Sequence, residues 1–260
     1  MEYDVYYVDA FADKLFAGNP AAVIFSDLQD SELMQLIAYE NNLSETAFIR
    51  QDEGVYHIRW FAPSCEIDLC GHATLAAAFI YFSFIDEHIN EIKFVSSKNG
   101  TLNVLKEDNY LYLDFPSDNL TAIQYNLDIE NALGIKSDEI YKGRDDYLVI
   151  LNSESDVINL NPNFNKFNAI DSRGLIVTSE SENYDFVSRC FFPTTGVNED
   201  PVTGSAHTSL IPYWSKRLNK KIMLARQASK RGGVLRCEDR GDRVKIGGNA
   251  ILYMKGKIYI

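Results

Sequence analysis

Residues 59–73 read Arg-Trp-Phe-Ala-Pro-Ser-Cys-Glu-Ile-Asp-Leu-Cys-Gly-His-Ala, and residues 189–206 read Arg-Cys-Phe-Phe-Pro-Thr-Thr-Gly-Val-Asn-Glu-Asp-Pro-Val-Thr-Gly-Ser-Ala. Both stretches open on Arg-x-Phe-x-Pro, close on Glu-x-x-x-x-Gly-x-Ala, and then run into helical periodicity. Their offset is about half of the 260-residue chain. A long-period echo of this kind implies two structurally similar lobes. Around it lie many short β-type runs, among them Tyr3-Val8, Ala21-Phe25, Val55-Phe61, Tyr110-Phe115, Tyr147-Leu151 and Phe186-Phe192. Asp108-Asn109 and Lys255-Gly256-Lys257 read as hairpin turns.

Helical spacing occurs over 31–39, 71–84 and 203–218. Asp30 is a suitable cap for the first, with Glu32 at its positive start. The second contains Ala73-Thr74-Leu75-Ala76-Ala77-Ala78-Phe79-Ile80, apolar nearly all round, and predicts a helix buried on every side. Mostly antiparallel strands around a few buried helices define an α+β fold. With no linker composition to separate the halves, the boundary is placed near Pro116-Ser117-Asp118, giving lobes 1–116 and 117–260.

Each half of the echo is a strand, an irregular loop and a glycine opening a helix. The first helical N–H groups have no intrahelical acceptor and carry the positive end of the dipole. Glycine lets a ligand come close to them. Cys70-Gly71-His72 and Thr203-Gly204-Ser205 are therefore candidate grips for a carboxylate that need no Lys or Arg. That matters in a chain of formal net charge −12, which also excludes nucleic acid as a main partner. No apolar run approaches the ~18 residues of a membrane span, and the start lacks a signal-peptide pattern, so a cytoplasmic protein is expected. Four cysteines without Cys-x-x-Cys spacing suggest reduced thiols. A zinc site built from Cys65, Cys70, His72 and His207 matches no common spacing, so no metal is expected. Nucleotide-binding glycine patterns are absent, and no cofactor is expected.

Four motifs in order, Gly18-Asn19-Pro20, Asn42-Leu43-Ser44-Glu45-Thr46-Ala47-Phe48, Leu69-Cys70-Gly71-His72-Ala73-Thr74-Leu75-Ala76 and Glu199-Asp200-Pro201-Val202-Thr203-Gly204-Ser205-Ala206-His207, resemble those of the PhzF family, the phenazine-biosynthesis isomerase-like proteins. The resemblance spans essentially the whole chain. It implies the diaminopimelate-epimerase-like fold, two pseudo-symmetric α+β lobes with the active site in the cleft between them. It also implies a homodimer and an isomerase or epimerase acting on a small carboxylate-bearing metabolite. Carried over residue by residue, it makes Glu45 the general acid/base, with Asp200 and His72 beside it in the catalytic set. Gly71, Gly204, Ser205 and Asn19 become substrate-binding residues. On the residues alone, Glu45 reads as a solvated turn residue.

In related epimerases and racemases of this fold, two cysteines act as the acid/base pair. Here Cys70 holds the first position, but the echo puts Thr203 at the second. A hydroxyl cannot replace a thiolate in such an exchange, so Cys70 reads as a packing residue. The alternative from another class is a scaffold without catalysis, serving as a small-molecule-binding or protein-interaction module.

Overall fold

In the computed structural model, which describes residues 1–98 and 100–260, the chain forms two compact units. One comprises Met1–Asp114 with Gly247–Ile260, and the other Phe115–Ile246. The first unit begins with the antiparallel pair β1 (Glu2–Ala10) and β2 (Asn19–Phe25). Helix α1 (Ser31–Asn41) leads to β3 (Glu45–Asp52), parallel to β2, and β4 (Val55–Phe61) returns antiparallel to β3. The short β5 (Glu66–Ile67) folds back on β4, and α2 (Gly71–Ile80) follows. Then β6 (Glu91–Ser96) runs parallel to β4, with β7 (Gly100–Glu107) and β8 (Tyr110–Pro116) completing an antiparallel meander.

The second unit contains β9 (Thr121–Ile123), α3 (Leu127–Leu133), β10 (Ile140–Lys142), β11 (Asp146–Ile150), α4 (Glu154–Ile158), β12 (Gly174–Glu180), β13 (Phe186–Phe192), β14 (Val197–Asp200), α5 (His207–Leu218), β15 (Ile222–Gln227), β16 (Gly233–Asp239) and β17 (Arg243–Gly248). Its pairings repeat those of the first. The β10–β11 pair is antiparallel, β11–β12 parallel, β12–β13 and β13–β14 antiparallel, β13–β15 parallel and β15–β16 antiparallel. The last strand, β18 (Ala250–Tyr259), pairs with β1 along its length.

Local chemistry accounts for the elements. The Asp30 carboxylate accepts the N–H groups of Glu32 and Leu33, and α1 ends where Asn42 takes the left-handed conformation at φ 48°. Met34, Ile37 and Ala38 share its buried face and pack with Val5, Ile24, Phe48 and Phe61. In α2 only Gly71 and Phe79 fall short of full burial, as its all-apolar sequence demands. The helix is shorter than its periodicity predicts, because Tyr81–Ile85 widens into a π-turn.

Two expectations are corrected here. Residues 247–260 belong to the first unit, not to a lobe running from 117 to 260, because β18 completes the sheet beside β1. Nor is Lys255-Gly256-Lys257 a hairpin turn: Gly256 lies opposite Val5 within that strand.

The sequence echo has a physical counterpart. The Arg59 guanidinium forks onto Glu66, Nε and Nη2 each 2.8 Å from a carboxylate oxygen, and lies 5.0 Å over the Phe61 ring. Arg189 forks onto Glu199 at 2.6 and 3.0 Å and lies 5.0 Å over Phe191. Arg189 also donates Nη1 to the carbonyls of Val157 and Leu160. The Arg189 side chain is 11% exposed, against 32% for Arg59. Breaking a buried pair costs several times more than breaking a wet one. Arg189→Ala should therefore lose about 3 kcal/mol in urea unfolding and Arg59→Ala about 1 kcal/mol or less. Equal losses would contradict this account of the two struts.

Candidate active site

The first unit assembles Asn19, Glu45, Cys70 and His72. Gly18 turns the chain into β2 at φ +68°, and a Cβ there would stand 2.2 Å from the Ala10 carbonyl oxygen. Only glycine permits this turn, which buries Asn19 completely at the head of β2. Glu45 is the first residue of β3, opposite Ala21. The turn reading of Glu45 is thus overturned: the parallel ladder to β2 begins at this residue, and its side chain is 18% exposed.

His72, the second residue of α2, places its Nε2 2.9 Å from Glu45 Oε2. Its Nδ1 lies 3.2 Å from Asn19 Nδ2 and 3.5 Å from Cys70 Sγ. Asn19 therefore stands behind His72, where burial makes it a support for the ring rather than a surface for a ligand. Amide nitrogen and oxygen are interchangeable in such an assignment, and an imidazolium Nδ1–H would face the Asn19 oxygen.

Burial pushes the His72 imidazole down, but the neighbouring Cys70 and the Glu45 carboxylate outweigh it and hold the ring well above its ordinary value. Burial, followed by the Glu45 carboxylate, pushes the Cys70 thiol up. Glu45, Cys70 and His72 are also the group of described residues whose donor atoms could hold a cation, lying within 4.8 Å of one another. This trio differs from the four residues considered on sequence, since Cys65 is exposed and His207 Nδ1 is bonded to the Thr203 carbonyl at 2.8 Å. A metal there would have to displace protons from both thiol and imidazolium. Alongside, the N–H groups of Gly71 and His72 precede the first helical bond, from Thr74 to the Cys70 carbonyl at 3.2 Å.

The second unit places Asp200 at the end of β14, opposite Cys190. Its Oδ2 accepts a short hydrogen bond from the Thr203 hydroxyl. The buried Gln227 accepts the Thr203 N–H at 2.8 Å and donates to the Asp200 carbonyl at 2.9 Å. This anchoring of Thr203 explains why α5 starts at His207 and not at 203. Residues 204–206 form a tighter turn closed by His207 N–H to Gly204 O and Thr208 N–H to Ser205 O, each 3.1 Å. The Thr203 hydroxyl is committed to Asp200, and burial drives the nearby Cys190 thiol far up, so neither supplies the second thiolate of a two-cysteine exchange. Ser205 accepts a hydrogen bond from Arg173, whose partner is the buried Asp146. Sequence reasoning missed Gln227, Asp146 and Arg173; the charge at the head of an apolar run is the only signal the last two carry.

The fold is that of the diaminopimelate-epimerase-like α+β proteins. A crystal structure of a hydroxyproline epimerase from Agrobacterium vitis superposes with a TM-score of 0.64 over 99% of this chain and 91% of that one, at 9% identity. The chain belongs to the PhzC–PhzF family of phenazine biosynthesis-like proteins, whose pattern matches residues 8–256. An uncharacterized isomerase from Pseudomonas aeruginosa is 47% identical over 261 residues, covering both chains in full. A PhzF-family crystal structure from Enterococcus faecalis is 48% identical, with a TM-score of 0.97 over the whole of both chains. Among the described residues no helix is long and apolar enough to cross a membrane.

The raised His72 pKa has a direct consequence. Its folded value exceeds the unfolded value of about 6.5, so the stabilisation is complete below that pH and is lost as pH rises through the folded value. In an NMR titration the His72 ring should remain protonated above pH ~6.5, and Glu45→Gln should lower its midpoint. A wild-type midpoint at or below about 6.5 would remove the ion pair from the site.

Proposed function

We propose that the chain is an isomerase that moves a proton on a small carboxylate-bearing metabolite, with Glu45 as the general acid/base. The observation that carries this reading is the Glu45–His72 contact, 2.9 Å long, on side chains 18% and 7% exposed. An ion pair held this far from water is seldom a net stabiliser, since desolvation offsets most of the Coulombic gain. A site that keeps one beside open helix-start amides is suited to catalysis, and this disfavours the reading as a non-catalytic binding module. The names of its isomerase relatives point the same way.

The amides of Gly71 and His72 take the substrate carboxylate at the positive end of α2. The Glu45 carboxylate removes a proton from an activated carbon, and the electron pair shifts into the adjoining unsaturated system. Protonated Glu45 then returns the proton at a different carbon. His72 keeps the Glu45 side chain in place. The step draws on no cofactor. Asp200 is the second carboxylate of the proposed set, and Gly204 and Ser205 supply the corresponding amides of the second unit.

Glu45→Gln preserves side-chain volume and leaves the helix-start amides intact. Turnover should fall about 10²–10⁴-fold with little change in substrate dissociation constant, the signature of a group used mainly in the transition state. Near-normal turnover would shift the assignment to Asp200. Cys70→Ala should lose less than about tenfold, because a neutral buried thiol exchanges no proton. Abolished catalysis in that folded variant would restore the thiol mechanism.

A further inference from the structure

Three donors of different kinds converge where α2 begins. They are a carboxylate oxygen of Glu45, the Cys70 thiol and the His72 imidazole, all within 4.8 Å of one another. Two elements of the first unit bring them together: the first rung of β3 supplies Glu45, and the residues that open α2 supply the other two.

Their spacing suits a small tetrahedral cation. His72 Nε2 stands 2.9 Å from Glu45 Oε2 and 4.0 Å from Cys70 Sγ. Zinc, with bonds of about 2.3 Å to sulfur and about 2.0–2.1 Å to nitrogen and oxygen, sets tetrahedral neighbours about 3.3–3.6 Å apart. The two separations lie on either side of that range, so each needs to change by only about half an ångström. Glu45 Oε2 is also buried and accepts no hydrogen bond among the described residues, although Nε2 is so close. A buried carboxylate oxygen without a donor is costly, and a cation between it and the ring would satisfy it.

At the other ring nitrogen, the Asn19 side-chain amide lies 3.2 Å from His72 Nδ1. A ligating imidazole almost always keeps its second N–H on such a partner, which fixes the tautomer that presents Nε2 to the metal. With its amide oxygen turned to the ring, Asn19 fills that place. The donor types select the ion. A thiolate and an imidazole favour zinc and its neighbours over magnesium and calcium, which take oxygen ligands. Three protein ligands leave a fourth position for water, and Glu45, the most exposed of the three, is the side that meets solvent.

We propose that Glu45, Cys70 and His72 form a site for a thiophilic divalent cation of the zinc kind, and that the bound ion switches proton transfer off. Binding replaces the S–H bond of Cys70 with a metal–sulfur bond, and the His72 ring binds through its Nε2 lone pair. The protons displaced leave to solvent. With its oxygen on the metal, Glu45 no longer serves as a base. This inhibitory consequence rests on the reading of Glu45 as the general acid/base; the metal site does not.

The test loads chelator-treated protein with Co2+, a spectroscopic stand-in for zinc, in a Cys65→Ala background that removes the exposed thiol. A sulfur-to-cobalt charge-transfer band should appear in the near ultraviolet and disappear when Zn2+ displaces the cobalt. Cys70→Ala in the same background should abolish the band. Glu45→Gln, which keeps the side-chain volume, should weaken Zn2+ binding in calorimetry by at least about tenfold, the loss found even for outer partners of metal ligands. Zn2+ should suppress wild-type turnover and a chelator restore it. No band, a band that survives Cys70→Ala, Zn2+ affinity untouched by Glu45→Gln, or turnover indifferent to saturating Zn2+ each overturn the proposal. Failure of the isomerase reading looks different: Glu45→Gln leaves turnover intact while the cobalt band still forms and still depends on Cys70.

Discussion

An arginine forked onto a glutamate is the constraint on which the helix start in each unit depends. In each unit the fork ties a central strand, β4 or β13, to the loop that must turn back and deliver a glycine to the start of a buried helix. Without it, the four residues between Glu66 and Gly71, or between Glu199 and Gly204, would be free to choose their own path. The helix-start amides would then point in no fixed direction. Stacking on Phe61 and Phe191 sets the guanidinium plane as well, so the loop is fixed in orientation and not only in reach.

From this shared frame the two units diverge in what they place at the junction. The first brings a carboxylate and an imidazole together beside a buried thiol, with Asn19 behind them. The second ties Thr203, Gln227 and Asp200 to one another through hydrogen bonds. His207 shows the contrast most directly. It occupies the helix position of Thr74, yet burial pushes its pKa down to about 4, whereas the His72 imidazole is held well above its ordinary value. Two histidines close to two helix starts are thus pushed in opposite directions, since only one of them faces Cys70 and the Glu45 carboxylate.

The frame was legible in the sequence because it depends on residue types that recur at fixed offsets: Arg, Phe, Pro, Glu, Gly and Ala. The buried helix was legible from eight apolar or small residues in a row. Glu45 was not, because a carboxylate preceded by Asn-Leu-Ser looks like any solvated turn. What makes it a site residue is its place at the first rung of a parallel ladder, a long-range fact. The same holds for Asp146 and Arg173, which are 27 residues apart and meet only once β11 and β12 pair. The false hairpin at Lys255-Gly256-Lys257 is the reverse case, in which local turn chemistry yielded to continuous pairing with β1.

That last strand has a consequence for how the protein comes to exist. β1 is synthesised first, and β18 covers its edge only after all of the second unit has been made. Through most of synthesis, therefore, the Glu2–Ala10 strand offers a row of unpaired N–H and C=O groups to any other extended segment. Closing the sheet requires a contact between nearly opposite ends of the sequence, the slowest kind to form. Because the second unit is inserted within the first, the first can finish its sheet only after the second has been synthesised.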